Sequence, residues 1–146
     1  MVIVLIIDLE YLDTLPVLRW NRTGVTVAGV TGQVGNASNQ LNNPLGLYVD
    51  WANTLYIADD ANNRIQKYLK DATFGETVAG DSTGIGGPGS YLLNHPSNLA
   101  VDLNGNMYVC DRWNHRIQLW KRGASNGTTL TGITDFNFHK ILFEYL

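Results

Sequence analysis

Four aspartates recur along the chain as two pairs, Asp50 with Asp102 and Asp59 with Asp111, each pair 52 residues apart. Carboxylates repeated at one spacing converge when the repeats are arranged about an axis, and oxygens at equal radius would hold a hard cation such as calcium. Asp50 and Asp102 are the candidate metal ligands on that reading. The competing chemistry is local. An aspartate at a strand end accepts hydrogen bonds from turn amides, and Asp59 or Asp111 can pair with Arg64 or Arg116 five residues on. Histidine offers no catalytic constellation. His95 precedes Pro96 at a strand entrance, His115 is a turn residue, and His139 stands apart from both. Zinc needs three or four converging ligands, and Asn63 occupies the place of His115 in the matching segment. Nothing in the spacing of Ser97, His95 and the aspartates selects a nucleophilic triad. No catalytic or cofactor-binding residue is therefore assigned, and calcium stays open only for a complete ring.

The elements that must position these groups come from a repeat. Residues 41–80 and 93–132 align without a gap, pairing Pro44 with Pro96, Tyr56 with Tyr108, Asn62 with Asn114, Arg64 with Arg116, Gly75 with Gly127 and Gly80 with Gly132. Periods of this order mark propellers, solenoids and arrays. Each unit reads as four short strands, around 45–49, 55–58, 64–69 and 77–79, bounded by Asn, Asp, Gly or Pro. Four antiparallel strands per repeat is the content of one propeller blade. Leu47 and Val49 alternate as a half-buried strand does, yet Tyr56, Ala58, Tyr108 and Cys110 make the other face apolar too, as stacking between neighbours requires. The predicted fold is all-β, a partial propeller of four-stranded antiparallel blades.

The strings NPLGLYVD, TLYIADDANNRIQKY and NGNMYVCDRWNHRIQLW resemble NHL repeats, a β-propeller family whose units carry a Tyr-Val-Ala-Asp-like strand and an Asn-His-Arg-Ile-like turn. The resemblance implies that Pro44, Asp50, Tyr56, Asp59, Asn62, Arg64, Pro96, Asp102, Tyr108, Asp111, Asn114, His115 and Arg116 are structural positions of the repeat. It implies a non-catalytic protein-interaction module, with 31–40 and 81–92 as candidate contact loops. Some propellers of lactonase or amidating-lyase type are metal enzymes, which is the alternative implied; an RNA-binding propeller is the third. The chain divides into an irregular segment at 1–40 containing a partial blade at 15–29, a blade at 41–80, a flexible Gly-rich loop at 81–92, a blade at 93–132 and an unmatched tail at 133–146. Two blades are too few to close a ring, so the chain reads as a piece of a longer propeller. Its expected partners are further blades or another protein, with self-association as a second way to close the ring.

Composition narrows the classes. The 146 residues are 45% hydrophobic and 16% charged, enough for a buried core, and the net charge is −3. Ten scattered basic residues give no phosphate-neutralising patch, so nucleic acid is not the expected partner. Trp20, Tyr68 and Trp120 read as matching third-strand positions, which inter-blade packing explains better than base stacking. Cys110 is the one cysteine; it excludes an internal disulfide and reads as a small buried hydrophobe. Asn21–Thr23, Asn36–Ser38 and Asn126–Thr128 fit the glycosylation triplet, at a frequency an Asn-rich chain reaches by chance, so neither a cytoplasmic nor an extracellular location is assigned. The apolar run from Val2 to Ile7 has no basic region before it and is too short to span a bilayer; it reads as a strand of a preceding blade.

Overall fold

The computed structural model describes residues 2–4, 7–12, 15–20 and 25–130, with side chains placed from residue 25 onward. The tail at 133–146 with His139, Gly132 and the Asn21–Thr23 triplet lie outside the described residues. Four short strands come first: β1 (Val2–Val4), β2 (Ile7–Leu12), β3 (Leu15–Trp20) and β4 (Val25–Ala28). The first repeat forms β5 (Pro44–Val49), β6 (Leu55–Asp59), β7 (Arg64–Tyr68) and β8 (Glu76–Gly80), and the second forms β9 (Pro96–Val101), β10 (Met107–Asp111), β11 (Arg116–Trp120) and β12 (Thr128–Thr129). Each repeat is one four-stranded antiparallel sheet with its strands in sequence order.

Local chemistry sets each boundary. Pro44 and Pro96 open the inner strands opposite Asp59 and Asp111, beside a bulge in each sheet, where a missing N–H is tolerated. The second and third strands are joined by a short 3-10 turn that ends at Asn63 in one blade (φ 53°) and His115 in the other (φ 50°). Both sit in the left-handed region, which asparagine and histidine enter more readily than most side chains. That explains why the two residues exchange at this position. His115→Asn should leave the unfolding free energy measured in urea unchanged within about 0.5 kcal/mol, whereas the β-branched His115→Val should cost about 1–2 kcal/mol.

The core lies between the sheets. Ala58, Ile65 and Ala79 of the first blade pack with Leu93, Leu99, Val101, Val109 and Trp120 of the second, with Tyr48 and Tyr56 against the cluster. Near the axis the inner strands approach closely at Gly46, where a Cβ would sit 2.7 Å from the Cα of Asn98 and the carbonyl oxygen of Ser97. The aromatic residues that recur on the third strand cover glycines in the same way: a Cβ on Gly75 or Gly127 would fall 2.7 Å from the Tyr68 ring or 2.6 Å from Trp120 Nε1.

Two expectations change. The segment 15–29 does not fold as a continuous third and fourth strand, because β3, which carries Trp20, pairs with β2, and β4 pairs with β1. The Gly-rich connection at 81–92 is not a flexible tether. The amides of Gly84, Gly87 and Leu92 donate to the carbonyls of Asp81, Leu93 and Gly89. Thr83 donates its amide and hydroxyl to Asp81, holding that exposed carboxyl below the usual carboxylate range. Among the described residues no helix is long and apolar enough to cross a membrane.

Candidate functional site

The two ends of the blade pair differ in kind. At one end the recurrent Asp, Asn and Arg of each repeat build a clamp. Asp59 accepts from the Asn42 amide at 2.7 Å, from Asn62 Nδ2 at 2.9 Å and from Arg64 Nε at 2.9 Å. Burial raises its carboxyl above the ordinary aspartate range, against the pull of those three donors. The rest of the Arg64 guanidinium donates to the carbonyls of Asn36, Ser82, Ala37 and Gln40 at 2.6–3.2 Å. The second blade repeats the device. Asp111 takes the Asn94 amide, Asn114 and Arg116, and Arg116 reaches the carbonyls of Pro88, Gly89 and Leu92. Asn62 and Asn114 add bonds to Gly35 and Gly87. The connections at 31–40 and 81–92 are thus each fastened by the arginine of the blade that follows.

Between these clamps runs a polar joint that the sequence reading missed. Asp60 pairs with His95 Nδ1 at 3.0 Å and with Arg112 at 3.1 Å, while His95 stacks on Trp113 with ring centroids 3.8 Å apart. Asp60 and Arg112 hold the same repeat position with opposite charge. That inversion between successive units is the signal that could have revealed the joint.

The opposite end is open. The turns after β5 and β9 are folded around their aspartates: Asp50 Oδ1 accepts the Ala52 and Thr54 amides at 2.9 and 2.8 Å. Asp102 accepts the Asn104 and Asn106 amides and Asn106 Nδ2 at 2.8–2.9 Å. These carboxylates, the candidate metal ligands, are each turned back on their own loop. Among the described residues no group of three His, Cys, Asp or Glu side chains is placed to hold a metal ion. The stiffened turns instead hold Trp51 and Leu103 out in solvent, 89% and 82% exposed.

Between the two turns a cleft of about 720 Å³ opens along the joint of the blades. Tyr48, Tyr56, Lys67 and Glu76 form one wall; Asp102, Met107 and Arg122 contribute to the other. Burial first, and then the neighbouring Asp50 carboxylate, which accepts a hydrogen bond from the phenol, raise the Tyr56 hydroxyl above its usual range, so it stays a neutral donor. Lys67 and Glu76 pair across β7 and β8 at 3.3 Å, placing both signs of charge beside the two tyrosines. Tyr108, the counterpart of Tyr56, is buried with Ile117 and the half-buried Cys110.

Comparison with known proteins agrees with this division into blades. The NHL repeat model matches residues 41–68 and 93–119, each ending in the third strand. The chain belongs to the NHL-repeat family. NHL repeat-containing protein 3 of Mus musculus is 33% identical over 113 residues, spanning 73% of this chain and 31% of the relative. The protein of the same name from Homo sapiens is 33% identical over 103 residues, spanning 67% of this chain and 28% of the relative. This NHL-repeat chain therefore spans about a third of the length of the curated relatives it matches. The matched repeats contain the Asp59 and Asp111 clamps and both turns of the cleft.

Proposed function

We propose that this NHL-repeat segment is a non-catalytic protein-interaction module that grips a short peptide segment of a partner in the cleft between its two blades. The observation that carries the reading is the pairing of solvent-exposed Trp51 and Leu103, on hydrogen-bonded turns, with a cleft lined by Tyr48, Tyr56 and Met107 together with charged side chains. Tryptophan, tyrosine and arginine are the side chains that most often dominate binding energy, and here they surround one concavity. Its volume is in the range that holds a few side chains. An apolar partner residue would enter between the tyrosines, with its flanking polar groups meeting Lys67, Glu76 and Arg122.

Panning a random peptide display library on the 146-residue chain tests this. Selected peptides should lose tenfold or more in affinity against Trp51→Ala or Leu103→Ala, as a residue worth about 2 kcal/mol requires, and should be indifferent to His115→Asn at the other end. Peptides insensitive to both cleft variants would refute the assignment.

A further inference from the structure

The joint between the two blades can be compared with what lies on the other side of the first blade. Ala28 on β4 packs against Leu41, Leu55, Ile57 and Tyr68, as Ala79 on β8 belongs to the cluster of Leu93, Met107, Val109 and Trp120 one repeat later. Only this outer half recurs. Leu47 and Val49 are 50% and 47% exposed, whereas their counterparts Leu99 and Val101 are 2% and 4% exposed. The cluster that buries Leu99 and Val101 includes Ala58, Tyr48 and Tyr56, which lie on the first two strands of the preceding blade.

Backbone register identifies the half that is present. Val2 pairs with Ala28 and Ile3 with Thr26, skipping one residue, as Ile65 pairs with Ala79 and Gln66 with Thr77. The strands match in direction, register and bulge. Gly29 also holds φ +80°, the value found at Gly80. Thus β1 and β4 occupy the places of a third and a fourth strand, with the β2–β3 hairpin inserted between them.

Among the described residues β1 pairs with β4 alone, and we infer that its other edge is an acceptor for a β-hairpin, the first half of a further NHL repeat, whose second strand pairs with β1 and whose first strand covers Leu47 and Val49. The site continues the inter-blade interface already present between the two blades, and the occupant follows from that interface. A glycine is required where Gly46 meets β9. The turn residue at the place of Asp60 would face Asn43 and Asp60, the counterparts of His95 and Arg112, and charge complementarity makes it basic. The relatives, of which this chain spans 31% and 28%, have the length to supply such a hairpin.

A fusion tests the inference on the full chain. A copy of residues 41–64 carrying Asp60→Arg is joined directly to Val2, so that the copied turn leads into β1 in the register of β7. Its melting temperature should exceed that of the same fusion with scrambled strand residues by about 5 °C or more, and the amides of residues 2–4 should gain protection from hydrogen exchange. Omitting Asp60→Arg should remove part of the gain. A fusion that melts with the scrambled control, or leaves residues 2–4 unprotected, overturns the inference. So does a parent chain that is already a dimer with residues 2–4 and 45–49 protected, since a second copy would then be the occupant.

Discussion

Arg64→Ala is expected to lower the unfolding free energy by about 3–5 kcal/mol, the cost of removing one partner of a buried ion pair. Arg64 is 1% exposed and its partner Asp59 is fully buried, so the truncation leaves a carboxylate with no countercharge beside it. It also strands the carbonyls of Asn36, Ser82, Ala37 and Gln40, which this guanidinium serves. A loss of that size is a large part of the total stability of an ordinary domain. Arg64→Lys should recover less than half of it, because an ammonium restores the charge but not the planar fork that reaches an aspartate and two loop strands together. Arg116→Ala should cost less than Arg64→Ala, since the Arg116 side chain is 14% exposed and water can serve part of what it leaves. Urea unfolding followed by circular dichroism orders the three variants. An Arg64→Ala chain within about 1 kcal/mol of the parent would show that the clamp does not hold the blade.

The clamp was partly legible in the sequence because its ionic half uses side chains. Asp59 and Arg64 recur at the same five-residue separation as Asp111 and Arg116, and a short turn between strands brings such a pair together. Its other half uses backbone. The carbonyls of 36, 37 and 40 in one connection and 88, 89 and 92 in the next accept equivalent bonds although their residues differ almost throughout. A carbonyl places little demand on residue type, so the repeat extends through loops in which sequence comparison stops, and in which glycine by itself suggests flexibility.

The cleft was hidden for a different reason. Trp51 and Leu103 hold equivalent places in successive turns, but an aromatic and an aliphatic residue on polar loops do not register as a match. The concavity exists only because Tyr48 and Tyr56 of one blade face the turn of the next, a relation between repeats rather than within one. The strand order, by contrast, was readable throughout 41–80, where turn residues punctuate each apolar run. At 15–29 the resemblance to a repeat end does not say which strand pairs with β4, because the pairing with β1 depends on register at residues far away in sequence.

Gly80→Ala and Gly29→Ala should separate by about 2 kcal/mol or more, although the two glycines share φ +80°. At both positions alanine meets the left-handed strain, about 1 kcal/mol. At Gly80 the added Cβ would also fall 2.3 Å from the carbonyl oxygen of Asn63 and 3.0 Å from the Cα of Arg64. Those are backbone atoms at the start of β7, fixed by the Asn63 turn and the Arg64 clamp, so they cannot move aside without opening the sheet. At Gly29 the nearest atom among the described residues is the Cδ1 of Leu41 at 3.4 Å, a side-chain methyl that can rotate. Strain is common to the pair, and the backbone collision belongs to Gly80. Thermal melts of the two variants measure the difference directly, and equal losses would mean that conformational strain alone fixes glycine at the end of the fourth strand. A loss confined to Gly80 would place the requirement in the packing of the outer strand on the turn before the third. That packing is what a hairpin beside β1 would re-create around Gly29, so in the fusion chain Gly29→Ala should become nearly as costly as Gly80→Ala.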